Sequence, residues 1–223
     1  MGRNEIIRIS KEELLMAIKY ISDLHLGHEN VLRIEGKEMN KRKQFKNIEA
    51  MNEYIISQWN SHVEEDDHVY IVGDLSYRSK ENVGVKFLSR MKGHKHLIIG
   101  NHDIKWMKGV DLEQYFESVS YMEVIKEGGK TITICHYPLF EWPQSRYAKC
   151  SMDGNSWLIH GHIHDSTSCE AYHFIKEKLP CALNAGFDLP GNDYPVTFEE
   201  LLHNNCKWYE RNIDCLKKYE KRP

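Results

Sequence analysis

Ala17-Ile18-Lys19-Tyr20-Ile21-Ser22-Asp23-Leu24-His25 sets the pattern for the whole chain. The first five residues, mostly aliphatic or aromatic, predict a strand. Polar side chains able to bind metal follow it at once. The pattern recurs when His68-Val69-Tyr70-Ile71-Val72 runs into Gly73-Asp74. It recurs again when Lys95-His96-Leu97-Ile98-Ile99 runs into Gly100-Asn101-His102-Asp103. Between the first two strands, Phe45, Ile48, Met51, Ile55 and Trp59 fall at three- and four-residue steps, which predicts a helix over 44–62. Residues 82–92 read as a second helix. Alternating strands and helices predict an α/β fold with parallel strands and crossover helices.

Further along, 119–126 and 130–135 flank Glu127-Gly128-Gly129, the signal of a hairpin. Ser156-Trp157-Leu158-Ile159-His160 and Cys181-Ala182-Leu183-Asn184-Ala185 predict two more strands, and 197–219 one or two closing helices. These strands suggest a second sheet. No Pro/Gly/Ser-rich linker divides the halves, so 1–223 is expected to be one domain.

Composition narrows the function. The 223 residues carry a formal net charge of −3, which argues against gripping extended nucleic acid. No apolar run reaches the roughly 18 residues of a membrane span, and the N-terminus lacks the apolar stretch of a signal peptide. The six cysteines form no C-x-x-C pair and read as reduced thiols of a cytoplasmic protein. Lys41-Arg42-Lys43 reads as a solvated charge run. Arg33, Arg42, Arg78 and Arg146 are each chemically able to clamp a phosphate, but read first as surface charges.

The chemistry gathers at strand ends. Cys135-His136 and Gly161-His162-Ile163-His164 add to the earlier blocks, and ligands of open α/β sheets collect beyond the carboxyl ends of strands. Asp23 and His25, like His162 and His164, are two apart, so extended backbone would point each pair to one side. Asp23, His25, Asp74, Asn101, His136, His162 and His164 make seven candidate ligands, all oxygen or imidazole. That chemistry suits manganese, iron or zinc. One catalytic ion needs about three protein ligands, so seven predict two ions. Asp74 is the candidate bridge, because a carboxylate has two oxygens to share.

These five blocks, in this order over residues 23–164, resemble the calcineurin-like metallophosphoesterase family. Ser22-Asp23-Leu24-His25-Leu26-Gly27-His28 and Leu183-Asn184-Ala185-Gly186-Phe187-Asp188 are similar to its small prokaryotic and phage-type members. The resemblance implies two facing mixed β-sheets flanked by helices, a four-layer αββα sandwich. It implies two divalent or mixed-valence transition metal ions, manganese first. One ion would sit on Asp23, His25, Asp74 and His164, the other on Asp74, Asn101, His136 and His162. His102 would contact the phosphate and protonate the leaving oxygen, with Asp103 orienting it, while a metal-bridging hydroxide attacks phosphorus. The implied activity is hydrolysis of a small phosphorylated or nucleotide-type substrate, a monoester or diester. A nuclease acting on single-stranded ends and a non-catalytic scaffold are the alternatives. Leu75-Ser76-Tyr77-Arg78 departs from the block of the protein Ser/Thr phosphatases, and the length leaves no room for a capping domain. His28 lies close enough to the first block to touch substrate; His160 and Cys135 read as buried strand residues.

Overall fold

The computed structural model describes residues 16–34, 38–77, 83–147 and 155–210. In chain order its strands are β1 Ile18–Ile21, β2 His68–Ile71, β3 His94–Ile98, β4 Ser118–Ser120, β5 Met122–Glu127, β6 Lys130–Cys135, β7 Ser156–His160, β8 Ala182–Asn184 and β9 Val196–Thr197. The α-helices are α1 Ile48–His62, α2 Val83–Leu88, α3 Asp103–Trp106, α4 Glu170–Lys178 and α5 Phe198–Trp208.

Two sheets form. The first has the order β4-β3-β2-β1-β9, parallel except for β9. The second has the order β5-β6-β7-β8, parallel except for the β5–β6 hairpin. Side chains alternate across the first sheet, as the period of two requires. Ile21, Val69, Ile71 and Leu97 pack outward with Met51, Ile55 and Trp59 of α1. Tyr20, Tyr70, Val72 and Ile98 pack inward with Ile132, Ile134, Trp157 and Ile159 of the second sheet. Phe198, Leu201 and Leu202 of α5, and Tyr172 and Ile175 of α4, belong to that same inner cluster. The two mixed sheets with flanking helices are the expected architecture.

The differences from expectation are local. Helix α1 starts at Ile48 and not 44, because Asn47 accepts from Ala50 N–H at 2.9 Å and caps it. Residues 40–44 form a separate 3₁₀ turn. The run 119–126 is split at Tyr121. Ser118–Ser120 pairs with β3, and only Met122 onward enters the hairpin. Glu123 ties that corner, accepting from Ser118 Oγ at 2.6 Å and Ser120 Oγ at 3.2 Å. The hairpin turns at Gly128-Gly129, both with positive φ, as a two-residue type I′ turn demands. Helix α4 and strand β9 are additions to the expected elements. Thr197 and Glu200 cap α5 reciprocally; residues 211–219 of the expected closing helix lie outside the described residues. Among the described residues, no helix is long and apolar enough to cross a membrane.

Candidate metal centre

Parallel register sets Ile21, Ile71 and Leu97 level with one another, and Ile134 level with Ile159. The loops after β1, β2, β3, β6 and β7 therefore open at one end of the sandwich. All seven candidate ligands meet there. Around Asp74, His25 Nε2 stands 3.8 Å and His136 Nε2 3.5 Å from the same carboxylate oxygen, Oδ2. The other oxygen, Oδ1, accepts the His102 backbone N–H at 2.8 Å.

On one side of Oδ2, His25 Nε2 lies 3.4 Å from His164 Nε2, which lies 3.9 Å from Asp23 Oδ1. On the other, Asn101 Oδ1 is 3.1 Å from His136 Nε2 and 3.0 Å from His162 Nδ1. The first set is largely buried; Asn101 and His162 are exposed and make the second set the open one.

The backbone reaches this arrangement at a cost. Asp23, His25, Asp74, His162 and His164 all have φ between 49° and 71°. They are five of the eight non-glycine residues with positive φ among the described residues. Left-handed backbone is disfavoured for such side chains, so strain is concentrated on the candidate ligands. The pairs Asp23/His25 and His162/His164 do converge, but through left-handed turns and not the extended backbone expected. Close approach explains two glycines. A Cβ on Gly100 would lie 2.3 Å from Asp74 Oδ1, and one on Gly161 2.6 Å from Asp23 Oδ2.

The electrostatics fit cations. Asp23 and Asp74 are 0% and 2% exposed, and among the described residues their ion-pair partners are imidazoles only. Burial pushes the Asp74 carboxyl up to about 7, opposed by His136 and reinforced by Asp23. Burial also holds His25 well below the usual imidazole range and lowers His162 and His102. Neutral imidazoles are the ligating form, and divalent cations would supply the charge that two buried carboxylates lack.

Three residues behave differently from expectation. Asp103 makes no hydrogen bond to the His102 ring. Its fully buried carboxylate accepts from the backbone N–H groups of Asp74 (2.7 Å), Leu75 (2.9 Å) and Gly100 (2.8 Å), and from Trp106 Nε1 (2.7 Å). Asp103 therefore pins the Asp74 and Asn101 loops to each other. Asp103→Ala would strand four donors at ~1–3 kcal/mol each. A loss of at least ~3 kcal/mol in urea unfolding is expected, with His102→Ala close to wild type. Equal stabilities would return Asp103 to an orienting role.

Arg42 is the second surprise: it is fully buried, so neither a surface charge nor a phosphate clamp. Its Nε and Nη2 bind both oxygens of buried Asp188, at 2.7 and 2.8 Å. Asp188, the third, accepts from His164 Nδ1 at 2.8 Å. Within the run Lys41-Arg42-Lys43, Lys41 and Arg42 thus form a strap, and only Lys43 is exposed as expected. Lys41 Nζ binds the carbonyls of Phe187 and Leu189 at 2.7 and 2.8 Å, and Met39 N–H binds Asp165 at 2.6 Å. Arg33 and Arg146 are exposed; Arg78 lies outside the described residues.

His102, half-buried, has Nε2 3.9 Å from Asp74 Oδ2 and its ring edge-on to His25. His28 stacks flat on Tyr77 at 3.9 Å, with both rings within 6 Å of His102. Exposed Tyr137 meets His162 edge-on at 4.8 Å. His160 and Cys135 are buried strand residues, as expected.

Comparison with known proteins agrees with this geometry. The family profile described as a calcineurin-like phosphoesterase superfamily domain matches residues 16–186. An uncharacterized protein of Methanocaldococcus jannaschii is 30% identical over 162 residues, covering 72% of this chain and 76% of its own. The Gene 66 protein of Mycobacterium phage L5 is 29% identical over 193 residues, covering 78% and 89%. The crystal structure of a protein of unknown function from Aquifex aeolicus shares the fold, with a TM-score of 0.60 at 24% identity, covering 83% of this chain and 97% of that one. The archaeal and phage relatives bear out the expected kinship with small prokaryotic and phage-type proteins. With the matched span enclosing every one of the seven converging side chains, the chain belongs to the calcineurin-like phosphoesterase superfamily.

Proposed function

We propose that the protein is a two-metal phosphoesterase that hydrolyses a small phosphorylated or nucleotide-type substrate. The observation that carries this reading is Asp74 Oδ2, flanked by imidazoles of both ligand sets. Asp23, His25, His164 and Asp74 would hold one ion; Asn101, His136, His162 and Asp74 the other. When bound, a pair of divalent ions, manganese by preference, supplies positive charge to phosphoryl oxygens and lowers the pKa of a water nucleophile. The exposed edge formed by Asn101 and His162 admits substrate from solvent. His102, beside both sets, is placed to hydrogen-bond a phosphoryl oxygen and to deliver a proton to the departing one. Asp103 keeps the His102 backbone N–H on Asp74 by fixing both loops. All seven candidate ligands and His102 are present, which favours catalysis over a scaffold role.

The test is stoichiometry. Metal-depleted protein reloaded with manganese is expected to retain two ions per chain by elemental analysis and to hydrolyse nitrophenyl phosphate esters. Retention of one ion, with affinity unaffected by His136→Ala, would refute the two-metal reading. Parallel assays on phosphomonoesters, phosphodiesters and single-stranded DNA then separate the phosphoesterase from a nuclease.

A further inference from the structure

We propose that the buried Arg42–Asp188 pair is a positioning device that makes the Asp23–His25–His164 set the tighter of the two metal sites. The inference rests on the two-metal reading. Asp188 is acceptor-only when ionised, so its 2.8 Å contact fixes the proton of His164 on Nδ1. The Nε2 lone pair is then left facing Asp23 and His25. A carboxylate behind a ligating imidazole also makes that imidazole a stronger donor. Among the described residues, no carboxylate hydrogen-bonds an imidazole of the other set from behind. His136 Nδ1 faces the neutral carbonyl of Val72 at 2.9 Å, and His162 is exposed.

The same guanidinium also reaches the first ligand loop. Arg42 Nη1 donates to Leu24 O at 3.1 Å, and Nη2 donates to Asp23 O. One side chain therefore holds the left-handed turn carrying Asp23 and His25 and, through Asp188, the ring of His164. Arg42 and Asp188 side chains are both 0% exposed, so no substrate touches them. The strap supports this placement from both sides: Glu38 accepts from Ser166 Oγ at 2.6 Å, and Lys41 pairs with Asp193 at 3.3 Å. A guanidinium fork matches two carboxylate oxygens and two carbonyls at once; an ammonium cannot.

The full chain, stripped of metal, is titrated with Mn²⁺ by calorimetry and with Co²⁺ by visible absorption. Wild type is expected to show two binding events of unequal affinity. Asp188→Asn should weaken the tighter event about 10–100-fold, the usual effect of losing a ligand's outer partner, and leave the weaker one unchanged. His136→Ala should do the reverse. Arg42→Lys keeps the charge, loses the fork and should weaken the same event as Asp188→Asn; it carries the test if Asp188→Asn fails to fold. The thermal midpoint of each metal-free variant is read alongside. Asp188→Asn or Arg42→Lys that weakens both events alike, or neither, overturns the inference. A wild type that takes up only one ion overturns the two-metal reading, and the ranking of sites with it.

Discussion

Asp74→Asn is expected to cost the protein both ions and its turnover together. The amide can keep its oxygen on the His102 N–H, where Oδ1 now sits at 2.8 Å, so the loop should survive. Its NH₂ then replaces Oδ2 and points donors at His25 and His136, where a shared anion stood 3.8 and 3.5 Å away. Each ion should bind more weakly than the ~10–100-fold that loss of an outer partner costs, with turnover falling below detection. Asp23→Asn should weaken one event only. Retention of both ions by Asp74→Asn would remove it as the bridge.

The same variant carries a pH signature in metal-free protein. A carboxyl raised from an unfolded value of ~3.9 to about 7 binds its proton more tightly when folded. Its contribution to stability is full below pH ~3.9 and is lost as pH rises through about 7. The lowered imidazoles act in the opposite sense over an overlapping range, so the informative quantity is the difference between two proteins. Asp74→Asn should gain stability relative to wild type as pH rises from about 4 to about 7 in urea unfolding.

His102→Ala is expected to retain both ions while losing ~10²–10⁴-fold in turnover, the usual range for a general acid–base residue. The loss should be largest for alkyl and ribose leaving groups and smallest for nitrophenyl esters, which need little protonation. An equal loss for all would confine His102 to holding phosphate. Geometry also offers the opposite outcome. Nitrogens of His25 and His102 and an oxygen of Asp74 lie close enough together to hold an ion themselves. An ion lost on His102→Ala would make it a ligand.

Much of this was legible in the sequence because strand, polar turn and glycine recur together. Each strand ending needs only nearest neighbours to be read. The strap was not legible, because Arg42 and Asp188 are 146 residues apart and nothing local distinguishes a buried arginine from a solvated one. Lys41-Arg42-Lys43 looks like a surface run by composition alone. Only the pull of Asp188, Asp193 and two backbone segments, 23–24 and 187–189, draws Lys41 and Arg42 inward. The bonds of Asp103 are hidden for a related reason: adjacency to His102 suggests a direct partner, whereas its four donors come from two loops and a tryptophan. Helix α4 begins with the weak cap of Cys169 Sγ and buries only Tyr172 and Ile175, too few positions to set a period. Strand β9, two residues long, is too short for any period.

The distance between Arg42 and Asp188 also sets an order of events as the chain is made. At ~5–20 residues per second, Asp188 leaves the ribosome roughly 7–30 s after Arg42. Over that interval the first three strands can pair, since their contacts are comparatively local. The guanidinium meanwhile stays hydrated, and the loop of Asp23 and His25 is unclamped. A divalent ion arriving early meets Asp23, His25, Asp74 and Asn101 and none of the three later imidazoles. The first of the two proposed sites would thus be complete only after nearly the whole of the matched span has been synthesised, which would delay full metal capture until the surrounding core can close over it.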